Sequence, residues 1–315
     1  AFTENINQLT KNTNMKYKTI LVAGSIAFDY IFKYEGEFSS HFEGHDLNKI
    51  STCFFTPQRE RFFGGTGGNI AYTYSLFGGA PIMISVAGGD FHGDYEEWLS
   101  QHGIHLDAVK IVEDGDTACA YIVTDTRGNQ ITNFYPGASL EKQDLGVDFA
   151  DFYEPLLIIS PMNLDNMIEL ADTAHKAGVP YIFDPGQQIT LFDADTMKRI
   201  AGNAFIVIVN EHEFTILKKS VDPATIGKLI VTKGEQGSEV FADGESFEVG
   251  IVQPEVVTDP TGCGDAYRGG LLYGLHQGYD LEKCCRYGAL AATYSIEQKG
   301  THNHTFTLEE FEARL

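Results

Sequence analysis

Apolar runs rich in β-branched residues alternate with helical patterns along most of this chain. The spacing predicts strands at Thr19–Ala23, Ile82–Val86, Leu156–Ser160, Tyr181–Asp184, Phe205–Asn210 and Leu229–Thr232. It predicts helices at Gly68–Phe77, Tyr95–Gln101, Leu164–Ala177, Ala194–Gly202 and Leu281–Gln298. Strands that are apolar throughout need cover on both faces, so the expectation is an α/β fold: a mostly parallel sheet between helices. In the last helix Leu281, Cys284, Cys285, Gly288, Ala289, Ala292 and Ile296 share one face of mostly small side chains, which predicts close packing. A chain of 315 residues with 43% hydrophobic content can bury one full core and carry a small appendage.

Two regions break the alternation. Ile31 to Phe63 is aromatic, polar and strand-like, and Cys119 to Tyr135 reads as two strands around Thr126-Arg127-Gly128-Asn129. Inserted between early βα units, such strands would form a flap over the C-terminal edge of the sheet, where α/β proteins bind ligands. Residues 1–14 are polar and aperiodic; they are expected to be a frayed tail, with Met15 as a natural start.

Glycines cluster where strands are expected to hand over to helices. In Asp259-Pro260-Thr261-Gly262-Cys263-Gly264-Asp265, preceded by Val256-Val257-Thr258, the β-branched run reads as a strand end and Leu271, Leu272 and Leu275 as a helix face. Gly262, Cys263 and Gly264 then fall at a helix N-terminus, whose free N–H groups and dipole favour an anion. Asp265 beside a bound phosphate would be repelled unless it took a proton from an attacking hydroxyl. A tight turn with an N-cap explains the same residues equally well. A dinucleotide fingerprint is disfavoured, because Gly262-x-Gly264-x-x-Tyr267 lacks the third glycine, and no Gly-x-x-x-x-Gly-Lys-Ser/Thr occurs.

Five further segments carry candidate chemistry. Gly64-Gly65-Thr66-Gly67-Gly68-Asn69 lets backbone approach a ligand and offers an amide, or is a flexible turn with an Asn cap. Gly24-Ser25-Ile26-Ala27-Phe28-Asp29 follows the first strand, so Asp29 can accept from two neighbouring hydroxyls, or is a loop acid. Asn210-Glu211-His212-Glu213 orients a hydrated Mg²⁺ or forms a capping box. Thr232-Lys233-Gly234-Glu235-Gln236-Gly237 is a hairpin turn or a loop along a polyphosphate. Asp184-Pro185-Gly186-Gln187-Gln188 is a polar loop or one that reads a nucleobase edge.

The net charge of −22 argues against nucleic acid or anionic membranes as partners. A polyanionic substrate must therefore be met locally, by backbone donors, a few cations and a divalent metal. Five cysteines without a CxxC pair suit a reducing cytoplasm, and no apolar run reaches the roughly 20 residues of a membrane helix.

Taken in order, these segments resemble the ribokinase-like (PfkB-type) family of carbohydrate and nucleoside kinases from about Lys18 onward. The Gly64–Asn69 and Asp259–Asp265 segments are its two signatures. Within the family, Gly24–Asp29, Asp94–Leu99, Phe134–Ala138, Asp184–Gln188 and Asp265–Arg268 are similar to bacterial adenosine kinases. The resemblance implies a three-layer α/β/α domain over 15–315, a β-sheet lid drawn from about 31–63 and 117–136, and ATP-dependent phosphorylation of a nucleoside 5′-hydroxyl, adenosine first. By position it makes Asp265 the general base and the N–H groups of Gly262, Cys263 and Gly264 the anion hole. It sets Asp29 and Asn69 on the ribose with Ser25 and Gly65 alongside, and Phe134, Gln187 and Gln188 on the base. Asn210 and Thr232–Gly237 would border the ATP phosphates, with Glu213 acting on Mg²⁺ through water. Monovalent-cation activation occurs in the family, and the Asp259-Pro260-Thr261 loop is where K⁺ would act. The exposed lid edges admit a homodimer. A broad-specificity nucleoside kinase, or a sugar kinase of the ribokinase or fructokinase type in the same family, is the alternative, and a non-catalytic nucleoside-binding regulator a more distant one.

Two positions depart from the family pattern. Ala120 stands where similar adenosine kinases carry a second aromatic against the base, and Tyr121 beside it is expected on the opposite face. Cys263 stands where a small non-thiol residue is usual; it is either a compact filler or, at a helix start, a thiolate open to oxidation.

Overall fold

The computed structural model describes residues 16–42 and 52–315. The tail expected at 1–14 and the middle of the 31–63 region lie outside the described residues. The first half runs β1 (Thr19–Ala23), β2 (Ala27–Lys33), α1 (Phe38–Phe42), β3 (Gln58–Gly64), α2 (Thr66–Leu76), β4 (Ile82–Gly88), α3 (Asp94–Gln101), β5 (His105–Val112), β6 (Ala118–Thr124) and β7 (Gln130–Tyr135). The second half runs β8 (Pro155–Ile159), α4 (Leu164–Ala177), β9 (Tyr181–Phe183), α5 (Ala194–Asn203), β10 (Ile206–Asn210), α6 (Glu211–Leu217), β11 (Lys228–Thr232), β12 (Ser238–Ala242), β13 (Glu245–Val249), α7 (Cys263–Gln277), α8 (Leu281–Ile296) and α9 (Leu308–Arg314).

Nine strands pair in the order β13-β12-β11-β10-β9-β8-β1-β4-β5. All neighbours are parallel except at β11-β12 and β12-β13, where antiparallel turns finish one edge. The sheet is apolar on both faces because alternate residues of one strand enter different cores. Ile20 and Val22 pack with α2, α7 and α8, whereas Leu21 and Ala23 pack with α4 and α5. This is the α/β fold that the alternating pattern predicts.

Where caps are strong, the sequence boundaries are reproduced. Asn163 accepts from the N–H groups of Asp165 and Asn166, Gly178 closes the other end in the left-handed region, and α4 spans the expected residues. The small-residue face of α8 packs closely against α7: a Cβ on Gly288 would stand 2.8 Å from the Tyr267 carbonyl oxygen, and one on Gly270 still nearer that of Tyr287. A larger residue at either place would force the helices apart.

The four inserted strands form a second sheet, ordered β3-β2-β6-β7. Three residues after β1 the chain enters β2, so the small sheet rises directly from the C-terminal edge of the large one. Cross-strand register places Phe62, Asp29, Ala120 and Phe134 in one row, on one face. Arg61, Tyr30, Tyr121 and Asn133 form the next row on the other face, where Tyr30 and Tyr121 stack at 5.3 Å. Glu60 bonds Lys299 of the main body and lies 3.5 Å from Lys33, and Arg61 pairs with Asp94 on α3. Thr301 donates to the Phe63 carbonyl at 2.8 Å. These contacts hold the small sheet over the edge of the large one.

Candidate active site

Residues Val256 to Thr258 are not a strand end. They are exposed and lie in neither sheet, and the strand-to-helix junction expected there is a loop-to-helix junction. The consequence for α7 is unchanged. Gly262 caps it at φ 78°, a left-handed conformation that suits glycine. The Cys263 N–H turns back to Pro260 at 3.3 Å, while Gly264, in the first helical turn, has no acceptor within its own helix. The N–H groups of Gly262 and Gly264 are left without a backbone acceptor at this turn. The Asp259 carboxylate braces the preceding loop by accepting from Thr261 at 2.9 Å and Gly300 at 3.1 Å.

Asp265 is the third residue of α7. Asn69 Nδ2 donates to its carboxylate at 2.8 Å, which brings the two glycine-rich segments together. Burial pushes the Asp265 carboxyl up to about 7, with Asp184 and Asp29 adding to the rise, while Asn69 and Arg268 oppose it. A carboxylate poised near neutrality is matched to proton abstraction at neutral pH. Asn69 is not an N-cap: it lies within the first turn of α2, and that helix starts two residues after the Gly64 that ends β3.

Arg268 and Asp184 were not singled out by sequence reasoning as a pair. Arg268 donates to Asp184 Oδ1 through Nη2 at 2.6 Å, bonds Asp184 Oδ2 through Nε, and donates from Nη1 to the Gly264 carbonyl at 2.9 Å. Both side chains are buried. The pair ties the loop after β9 to the first turn of α7. Its one sequence signal is an arginine inside an otherwise apolar helix run.

On the lid side, burial raises the Asp29 carboxyl to about 6, helped by the charge of Asp259. Asp29 shares its row with Ala120 and Phe134, so the hydroxyl-binding and base-stacking candidates face the same space. Phe134 is 55% exposed, an open ring rather than a core residue. Tyr121 points to the other face, as strand alternation predicts. Ser25 has a structural duty: its Oγ accepts from the Thr66 N–H at 3.1 Å and so serves as the cap that Gly65 cannot provide. Gln188 donates to the Met162 carbonyl at 3.1 Å, which fixes the loop, while Gln187 is exposed.

The remaining candidates line the neighbouring strand ends. Asn210 and Thr232 are register partners on β10 and β11. The Asn210/Glu213 capping box is present, with both Glu213 oxygens accepting from Asn210 at 2.8 Å. Thr232–Gly237 joins two antiparallel strands as a hairpin turn, and Lys233 pairs with Glu239 at 2.7 Å. Among the described residues no group of three or more His, Cys, Asp or Glu side chains is arranged to hold a metal. The oxygen donors of Asn210 and Glu213 suit a hydrated Mg²⁺ held mainly by phosphate, not an all-protein cage. Burial pushes the Cys263 thiol up to about 11, overriding the helix start; it is a compact filler and not a thiolate.

The arrangement brings a helix start with free N–H groups, a buried carboxylate beside it and a sheet carrying a second carboxylate to one place. The family model for pfkB carbohydrate kinases matches residues 56–307, and the chain belongs to that family. It is a phosphotransferase acting on a hydroxyl group. A nucleoside kinase of Burkholderia thailandensis in complex with inosine superposes with a TM-score of 0.83 at 34% identity, covering 94% of this chain and 96% of that one. The same enzyme has also been solved with ADP-inosine, at a TM-score of 0.80. A nucleoside kinase of Methanocaldococcus jannaschii is 29% identical over 307 residues, 95% of this chain and 97% of its own. A cytidine kinase of Thermococcus kodakarensis is 25% identical over 266 residues, 80% of this chain and 94% of its own.

Proposed function

We propose that this chain transfers the γ-phosphoryl group of ATP to the 5′-hydroxyl of a nucleoside, adenosine among them, with loose selectivity for the base. The observation that carries this is the Asp265–Asn69 contact at an anion-binding helix start, beneath a lid row that pairs a carboxylate with an open aromatic ring. Asp265 takes the proton of the 5′-hydroxyl as the oxygen attacks phosphorus. The Gly262 and Gly264 N–H groups and the α7 dipole stabilise charge on the transferring group. Asp29 accepts from the two ribose hydroxyls, and the lid excludes water that would otherwise hydrolyse ATP. Mg²⁺ would neutralise phosphate charge, with Asn210 and Glu213 orienting its water shell, and Thr232–Gly237 would border the phosphates. Loose base selectivity follows from Ala120. Phe134 stacks on one face of the base, and the opposite place in the row holds only a methyl group.

The relatives' activities on nucleosides support this reading, and a sugar alone would leave Phe134 without a role. The catalytic unit would span 15–315. A monovalent cation would act at the Asp259-Pro260-Thr261 loop. A homodimer through the lid would cover the edges of β3 and β7, and five free cysteines fit a cytoplasmic setting. The deciding assay is ADP release from MgATP with adenosine, inosine, guanosine, cytidine, ribose and fructose at equal concentration. Turnover of several nucleosides at comparable rates is expected. Turnover of free sugars alone would overturn the substrate assignment.

A further inference from the structure

We propose that Trp98 and His302 are positioning residues for Asp265, which fix the direction of the Asn69 amide and so deliver an N–H group to the base. This inference rests on the assignment of Asp265 as that base. The indole N–H of Trp98 can only donate, and it reaches His302 Nδ1 at 3.2 Å. That nitrogen must therefore be bare, and the imidazole proton resides on Nε2. His302 Nε2 lies 3.0 Å from Asn69 Oδ1 and donates to it, which leaves Asn69 Nδ2 facing Asp265 at 2.8 Å. Each link hands the next a defined direction, and the first cannot be reversed. In the opposite tautomer two N–H groups would confront each other at Trp98. The bare Nε2 would then attract the Asn69 amide nitrogen and turn its carbonyl oxygen onto the Asp265 carboxylate, acceptor against acceptor.

The surroundings favour the neutral, fixed ring that this requires. His302 is buried, Tyr72 stacks on it at 4.5 Å and 7°, and Tyr95 meets it edge-on at 5.8 Å. Burial and the neighbouring His304 and His102 hold His302 well below the ordinary histidine range. A ring kept only for packing would need the stacking and not the hydrogen-bonded line. The charged groups that face Asp265 are Asp29 on β2, Asp184 after β9 and Arg268 on α7. Arg268 is committed to Asp184 and to the Gly264 carbonyl, so Asn69 is the hydrogen-bond donor whose direction matters.

The test uses the full-length protein and Trp98→Phe, which keeps a ring and removes the N–H. The acid limb of the kcat profile is expected to move up by about 0.5–1 pH unit, with kcat at pH 7 lower by roughly 2–6-fold and the deficit narrowing as pH rises. A merely structural tryptophan would lower thermal stability and leave the limb in place. Independently, long-range ¹H–¹⁵N spectra of the wild-type protein with labelled histidine should show His302 protonated on Nε2 and bare on Nδ1. A proton on Nδ1, or on both nitrogens, would overturn the proposal even if the variant failed to fold. If Asp265→Asn retains kcat, the base assignment is at fault. If it is inactive while a folded Trp98→Phe keeps the wild-type limb, the positioning chain alone is wrong.

Discussion

Replacing Asp265 with Asn should cripple the enzyme and stabilise the fold, and the stability gain should depend on pH in a defined way. The carboxyl titrates at about 7 in the folded chain against an ordinary 3.8, chiefly because it is buried. Ionising it is therefore costly only when folded. The cost is absent below the unfolded value, grows as pH rises and is complete above about 7. At about 1.36 kcal/mol per pH unit of separation, the ceiling is about 4 kcal/mol. The site is open enough to solvent that about 2 kcal/mol is the working figure. Asn is isosteric and its carbonyl can still accept from Asn69, so the variant keeps the packing and loses the penalty. Its Tm should exceed that of the wild type by roughly 4 °C at pH 8 and by about half as much at pH 5.5. In the same preparation kcat should fall by about 10²–10⁴ with nucleoside binding nearly intact. Thermal melts at the two pH values and steady-state ADP release read both effects. A variant no more stable than wild type at pH 8 would show that the carboxylate is not desolvated, and an undiminished kcat would remove it from the chemistry.

Three further outcomes follow from the site. Ala120→Phe should restore a second ring opposite Phe134 and improve adenosine over cytidine in kcat/KM by up to about tenfold, from the roughly 0.5–1.5 kcal/mol of an aromatic pair; unchanged selectivity would separate Ala120 from the base. Asp29→Ala should chiefly raise the nucleoside KM, 2′-deoxyadenosine should be a poor wild-type substrate, and wild-type KM should rise as pH drops through about 6, where Asp29 becomes protonated. Equal turnover of the deoxy compound would exclude Asp29 from that role. Cys263, with its thiol held near 11, should resist iodoacetamide at pH 7.5 while exposed Cys53 reacts; rapid modification at Cys263, mapped by mass spectrometry, would contradict its burial.

Features with local causes were legible in the sequence, and those made by distant partners were not. The bounds of α4 follow from Asn163 and Gly178, and the apolar runs of β1 and β4 announce a doubly covered sheet. Asp265, Asn69 and Asp29 stand out because each is polar beside glycines or a strand end. The strands β5 and β13 are not apparent in the sequence because partly exposed edge strands lack the continuous apolar run of the centre. The start of α9 also has a local signal in the sequence, the Thr307/Glu310 capping box. Val256 and Val257 have strand-like side chains, yet β-propensity has no effect without a neighbour to pair with. Trp98 and His302 are 204 positions apart, and Asp184 and Arg268 are 84 apart. Nothing in one sequence couples such pairs; only the fold brings them together.

The row Phe62–Asp29–Ala120–Phe134 also works as a ruler. Adjacent strands lie about 4.8 Å apart, so the acid and the aromatic ring are held about 10 Å apart by backbone hydrogen bonds alone. Each mark on the ruler belongs to a different strand. On the proposed reading, a substitution on β6 or β7 would change what the base meets without moving the carboxylate on β2 that would meet the sugar. Within one scaffold, preference for the base would then be free to drift over evolutionary time while the grip on the sugar stays the same.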